Sequence, residues 1–128
     1  MQLLLDTHVV LWALTDDPAL PGTARELIMD ERNSVWVSAA TIWEIGIKHA
    51  LGRGDMPISA ADAVRYCGEA GYLWLDIRPD HAAAVEMMPM IHADPFDRIL
   101  VAQALCEPMR LVTHDAMMAR YGPGILVV

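Results

Sequence analysis

Short apolar runs recur along the chain, at residues 2–5, 35–38, 73–77, 110–113 and 125–128, each rich in Leu, Val or Ile. Several are apolar without alternation, the pattern of strands buried on both faces. The stretches between them read as helices at 7–14, 22–32, 39–51, 59–70, 80–90 and 95–106, with a short one at 116–121. Pro21-Gly22 opens the second helix, and Gly122-Pro123-Gly124 turns the chain into the last strand. Residues 52–57, Gly-Arg-Gly-Asp-Met-Pro, read as a mobile loop. The stretch 95–106 is apolar nearly all round, which predicts a buried helix. This alternation predicts an α/β fold, a parallel sheet covered by helices on both sides. In such sheets ligands bind beyond the carboxyl ends of the strands, near a switch in strand order.

Four carboxylates are set against this pattern. Asp6 follows Leu3-Leu4-Leu5, Glu44 lies beyond Val35-Trp36-Val37-Ser38, Asp97 opens the apolar helix, and Asp115 follows Leu111-Val112-Thr113. Parallel strands would bring all four to one sheet edge. Each acid alone has a plain structural role. Asp6, Asp94 and Asp115 suit helix N-caps, with Pro95 at the favoured first helical position. Asp97 after Asp94, and Glu44 after Thr41, have capping-box spacing. Glu44 and Lys48 form a favourable i, i+4 pair, although Lys48, one turn on, is expected to be the more exposed. The joint pattern says more. A cap needs one acceptor, which Ser or Asn would supply, yet every cap expected at this edge carries a carboxylate. Glu44 sits among Ile42, Trp43, Ile45 and Ile47, a costly place for a charge without a strong partner. Converged carboxylates need a cation or raised pKa values. Such oxygens with waters suit Mg2+ or Mn2+, ions that activate water and stabilise charge on a scissile phosphate.

The bulk numbers set limits. A chain of 128 residues is expected to be one domain, 1–128, with a sizeable core from its 55% hydrophobic content. No apolar run approaches the roughly 18 residues that cross a membrane. With no secretory leader visible at the start, a soluble, cytoplasmic protein is expected. Cys67 and Cys106 lack metal-ligand spacing and are expected as small buried apolar residues in a reducing compartment. The net charge of −8 disfavours loose nucleic-acid binding over the whole surface and suits a basic partner segment. The five histidines have no paired zinc spacing, though His92 and His114 lie near Asp94 and Asp115. Phosphate-binding glycine loops and a G-x-S-x-G elbow are both missing. A receiver domain would want adjacent acids after the first strand, where this chain has Thr7 and His8. Trp12, Met87, Met88, Met90, Met117 and Met118 are candidates for an exposed partner surface, since Met-rich faces adapt to partner shapes.

Asp6-Thr7-His8-Val9-Val10-Leu11-Trp12 and Ser38-Ala39-Ala40-Thr41-Ile42-Trp43-Glu44-Ile45 resemble the first two sequence blocks of PIN-domain proteins. His92-Ala93-Asp94-Pro95-Phe96-Asp97-Arg98 and Leu111-Val112-Thr113-His114-Asp115 resemble the other two. The likeness is to the VapC-like toxins of bacterial type II toxin–antitoxin pairs. It implies a three-layer α/β/α sandwich and Mg2+- or Mn2+-dependent cleavage of RNA. It also implies a homodimer neutralised by a small antitoxin. The family's four acids correspond to Asp6, Glu44, Asp97 and Asp115, as catalytic residues and metal ligands. Asp94 is an additional acid, a supporting or alternative ligand. Thr7, Ser38 and Thr113 are candidates to orient ligands or waters, and Arg98 to steady an acid or meet a phosphate. The rival expectation is a non-catalytic interaction domain whose acidic edge accepts an arginine from an antitoxin-like partner.

Overall fold

The computed structural model describes residues 1–128. Its strands are β1 (Gln2–Leu5), β2 (Ser34–Ser38), β3 (Leu73–Leu75), β4 (Arg110–Thr113) and β5 (Ile125–Val127). The helices are α1 (Thr7–Leu14), α2 (Gly22–Met29), α3 (Ala39–Ala50), α4 (Ala60–Ala70), α5 (Pro79–Ala84) and α6 (Pro95–Cys106). Residues Val85–Met87 and Ala116–Tyr121 form 3-10 turns, so the helix expected over 80–90 ends early. The second helix likewise stops at Met29 and the third strand at Leu75, short of the expected limits.

All strand pairs are parallel, in the order β3-β2-β1-β4-β5. Successive strands march outward from β1 through β2 to β3, and the chain then returns to the other side of β1 for β4 and β5. The switch point therefore lies between the carboxyl ends of β1 and β4.

Alternation along each strand sends side chains to opposite faces. Leu3, Leu5, Val35, Val37 and Val112 pack with Val9, Val10, Ala24 and Cys67, beneath α1, α2 and α4. Leu4 and Leu111 face the other way, onto Leu100, Val101 and Ala104 of α6 together with Met88 and Met118. The result is the expected three-layer α/β/α sandwich. The central helix α6 is buried along most of its length, as its composition predicts.

Burial overturns several expectations. Cys106, at the outer end of α6, is exposed, whereas Cys67 is fully buried and its thiol is pushed up to about 11 by that burial. Burial and the raised pKa together make the Cys67 thiol a poor nucleophile. Met88 and Met118 belong to the core, leaving Met87, Met90 and Met117 exposed and Trp12 half-buried. The loop 52–57 is anchored by Met56, which packs on Leu11, Ile45 and Ala63.

Gly71 closes α4 in the left-handed conformation (φ 77°), which a Cβ disfavours. Gly71→Ala is expected to destabilise the fold by about 1 kcal/mol, a fall of roughly 3–5 °C in thermal melting, with no change at the acid cluster.

Candidate active site

At the switch point the end of β1 is held rigidly. The Asp6 N–H continues the ladder to the Val112 carbonyl of β4 (2.9 Å). Its carboxylate then takes two donors: Thr7 N–H on Oδ1 (2.8 Å) and Thr113 Oγ1 on Oδ2 (2.7 Å). Asp6 thus caps α1 while β4 fixes its other oxygen. Burial pushes its pKa up, an effect opposed by the Thr113 and Thr7 bonds and by His8 and reinforced by Glu44.

Glu44 enters from the second turn of α3. The cap of that helix is Ser38, so this corner lacks the carboxylate cap the sequence suggested. Although Glu44 has apolar neighbours in sequence, the helix turns Trp43 (61% exposed) and Ile47 (39%) to solvent and Glu44 (5%) inward. Thr7 Oγ1 donates to Glu44 Oε1 (2.7 Å), and Lys48 Nζ donates to Oε2 (2.5 Å). Lys48 is partly tucked in, its side chain 17% exposed against 6% for Glu44, and so is the more exposed of the pair, as expected.

Asp94 is the N-cap of α6, accepting from Phe96 N–H (2.8 Å) as the sequence suggested. Asp97 does not complete a capping box, and its carboxyl has no hydrogen-bond partner at all. Its pKa is pushed up to about 7, first by burial, then by the charges of Asp6 and Asp94, with His92 opposing and Glu44 adding.

Asp115 caps the 3-10 turn through Met117 N–H (2.9 Å), and Thr113 Oγ1 accepts its backbone N–H (3.1 Å). His92 Nε2 meets Asp115 Oδ2 at 2.8 Å. The Tyr121 hydroxyl accepts the His92 backbone N–H (2.9 Å) and lies 3.2 Å from Nδ1. Neutral His92 satisfies this set when Tyr121 donates to Nδ1 and Nε2–H donates to Asp115. No spacing in the sequence announced this link between His92, Tyr121 and Asp115. The one sequence signal for His92 was proximity to Asp94.

Two other candidates fall away from the acids. Ser38 Oγ donates to Gln103 Oε1 (2.6 Å) in the core. Arg98 donates to the carbonyls of Val85, Pro89 and His92 (2.9–3.4 Å), so it fastens the segment before α6 and steadies no carboxylate.

The donor set is made of hard carboxylate oxygens, which fits Mg2+ or Mn2+. No three acidic, histidine or cysteine side chains stand as a ready-made cage, because Asp6, Glu44 and Asp115 are turned onto their own donors. Mg2+ does not require one, since it keeps several waters and takes one or two protein carboxylates. Asp97, raised and without a donor, is the group such an ion would relieve.

An apolar cavity of about 490 Å³ is walled by Trp43 of α3, Phe96 and Ile99 of α6, and Ile77 and Met90 among others. Trp43 and Phe96 meet edge to face at 5.2 Å. Trp43, which the sequence showed only as an apolar neighbour of Glu44, is a surface residue.

The sequence matches the model of the PIN domain over residues 3–123, so the chain belongs to the PIN-domain family, whose members are generally nucleases. No curated protein matches it. Among solved structures, it resembles a chain of the VapBC2 complex of Rickettsia felis bound to a DNA fragment from their promoter. The TM-score is 0.71 and the identity 13%, over 100% of this chain and 98% of that one. A toxin–antitoxin complex from Klebsiella pneumoniae gives 0.66 at 15% identity, covering 97% and 95%. VapBC-1 of nontypeable Haemophilus influenzae gives 0.60 at 16%, covering 94% and 92%. The fold is that of VapC-like PIN domains.

Proposed function

We propose that the chain is a Mg2+- or Mn2+-dependent endoribonuclease, the toxin half of a toxin–antitoxin pair acting in the cytoplasm. The observation that carries this reading is the linkage of three acids at the switch point, where Thr7 bonds both Asp6 and Glu44 and Thr113 bonds both Asp6 and the Asp115 backbone. No helix is long and apolar enough to cross a membrane. RNA as substrate rests on the likeness of the four sequence blocks to VapC-like toxins.

Asp6 and Asp97 would hold the ion, with Asp115 and Glu44 binding directly or through water and Asp94 in support. When bound, such an ion lowers the pKa of a water and stabilises charge on a phosphate. Thr7 joins two corners, giving its N–H to Asp6 and its hydroxyl to Glu44. Thr113 holds the other oxygen of Asp6 and the backbone of Asp115. Tyr121 and His92 fix the Asp115 carboxylate from the far side. Lys48 Nζ holds the other oxygen of Glu44.

The apolar cavity walled by Trp43, Phe96 and Ile99 supports a protein partner, an antitoxin segment or a second copy in a homodimer. A second reading, a non-catalytic domain whose acids grip a partner's arginine, has one observation in its favour. Lys48 already shows that a cationic nitrogen sits well on Glu44. The two readings part under Mn2+. On the nuclease reading, millimolar Mn2+ raises the melting temperature by several degrees and total RNA is cut, while Asp6→Asn loses both effects and stays folded. An unmoved melting temperature with intact RNA would leave only the interaction reading.

A further inference from the structure

A second cavity, of about 250 Å³, opens at the same sheet edge and is lined by Asp6, His8, Trp12, His114 and Asp115. Trp12 lies 6.0 Å from His8 at a tilt of 48° and 5.7 Å from His114, edge to face at 73°. Half-buried, it packs on the core layer under α1 and still borders the cavity. His8 and His114 are exposed. His114 Nδ1 donates to the Val128 carbonyl (2.6 Å), which leaves Nε2 as an unpartnered acceptor. Neither the His8 ring nor the Trp12 Nε1 has a hydrogen-bond partner in the protein. Three aromatic rings with spare polar atoms thus border two of the acids.

We propose that this cavity is a nucleobase subsite, in which Trp12 stacks one base of a single-stranded RNA while His8 and His114 contact its edge or adjoining phosphate. The inference rests on the nuclease reading and specifies its substrate contact. The two imidazoles build no zinc-like ligand set here, since no three His, Cys, Asp or Glu side chains converge. A drug-sized ligand is also a poor fit, because pockets for those run from roughly 300 to 1,000 Å³. One planar ring suits the space. Stacking also answers the net charge of −8, which works against grip through phosphates alone. Single-stranded RNA is commonly read by bases splayed onto aromatic and histidine side chains.

The test is equilibrium binding of a fluorescein-labelled ribohexanucleotide in EDTA, with a set of hexamers each lacking one base. Trp12→Leu is expected to weaken binding roughly tenfold. Removing one particular base should weaken the wild type by a similar factor and leave Trp12→Leu unmoved, while Trp12→Phe restores most of the affinity. His8→Ala and His114→Ala, both at exposed positions, test the same subsite if Trp12→Leu folds poorly. Each should soften the penalty for that one missing base. The proposal is overturned if the wild type does not bind the hexamer. It is equally overturned if the missing-base penalties run in parallel in wild type and variants. Mn2+-dependent cleavage without base sensitivity would remove the subsite and keep the nuclease. Base-sensitive binding by a protein that never cuts RNA would do the reverse.

Discussion

Asp97→Asn is expected to lower RNA cleavage at least about a thousandfold and, in the absence of metal, to make the protein more stable near pH 8. The stability half follows from the carboxyl's surroundings. Its pKa is pushed from 3.8 to about 7, first by burial and then by Asp6 and Asp94. Below pH 3.8 it is protonated in the folded and unfolded chain alike and costs nothing. Between 3.8 and about 7 the unfolded chain gives up this proton and the folded chain keeps it, so stability falls through that window as pH rises. Asparagine has no proton to lose. The variant should therefore gain on the wild type up to about pH 7 and hold its lead above it. For a half-buried carboxyl, discounted for solvent screening, the lead is about 1 kcal/mol, or roughly 3–5 °C in melting. Mn2+ competes with the same proton, so its stabilisation of the wild type should grow over the same pH window and be largely absent from the variant. Melting curves from pH 4 to 8, with EDTA and with Mn2+, check each part. Equal melting of the two proteins at pH 8 in EDTA would show that Asp97 carries no such load.

Lys48→Met should act in the opposite direction. It removes the ammonium on Glu44 Oε2 (2.5 Å) and leaves an acid that is only 5% exposed with Thr7 as its one donor. Removing one partner of a buried pair costs about 3–5 kcal/mol, and the partial exposure of Lys48 reduces this to about 2 kcal/mol. Loss of the lysine also frees an oxygen that an incoming ion must otherwise win from it. The variant is expected to melt several degrees below the wild type in EDTA and to recover more than the wild type gains when Mn2+ is added. The double change Lys48→Met with Glu44→Gln, which removes the stranded charge, should restore part of the metal-free stability and abolish the extra recovery. A Lys48→Met protein as stable as wild type would mean that the ion pair contributes nothing to the fold.

Much of this architecture was legible along the chain because it depends on local pattern. Unbroken apolar runs separated by helical stretches leave few arrangements besides a parallel sheet covered on both faces. An acid just past each run must then approach one edge, as Asp6 and Asp115 do. Asp94-Pro95 announces a helix start whatever surrounds it.

The relations within the site were not legible in that way. His92 meets Asp115 across 23 positions and shares no period with it. Arg98 looked like a partner for acid or phosphate, but its guanidinium ends on three backbone carbonyls. In α3 the apolar residues Trp43 and Ile47 face out and the charged Glu44 faces in, the reverse of what polarity alone suggests. Met88, Met118 and Cys106 likewise had their exposure decided by which face of each segment met the sheet.

The sequence by itself determined the class of fold and the presence of a carboxylate edge, because strand burial and helix starts are set by residues close together in the chain. Only the tertiary structure decided which acid keeps a donor and which does not. Thr113 fastens Asp6, Thr7 reaches across to Glu44 and His92 fastens Asp115, while nothing in the protein reaches the Asp97 carboxyl. Hydrogen bonds between segments form where the packed layers place them, and no spacing along a single segment encodes that outcome.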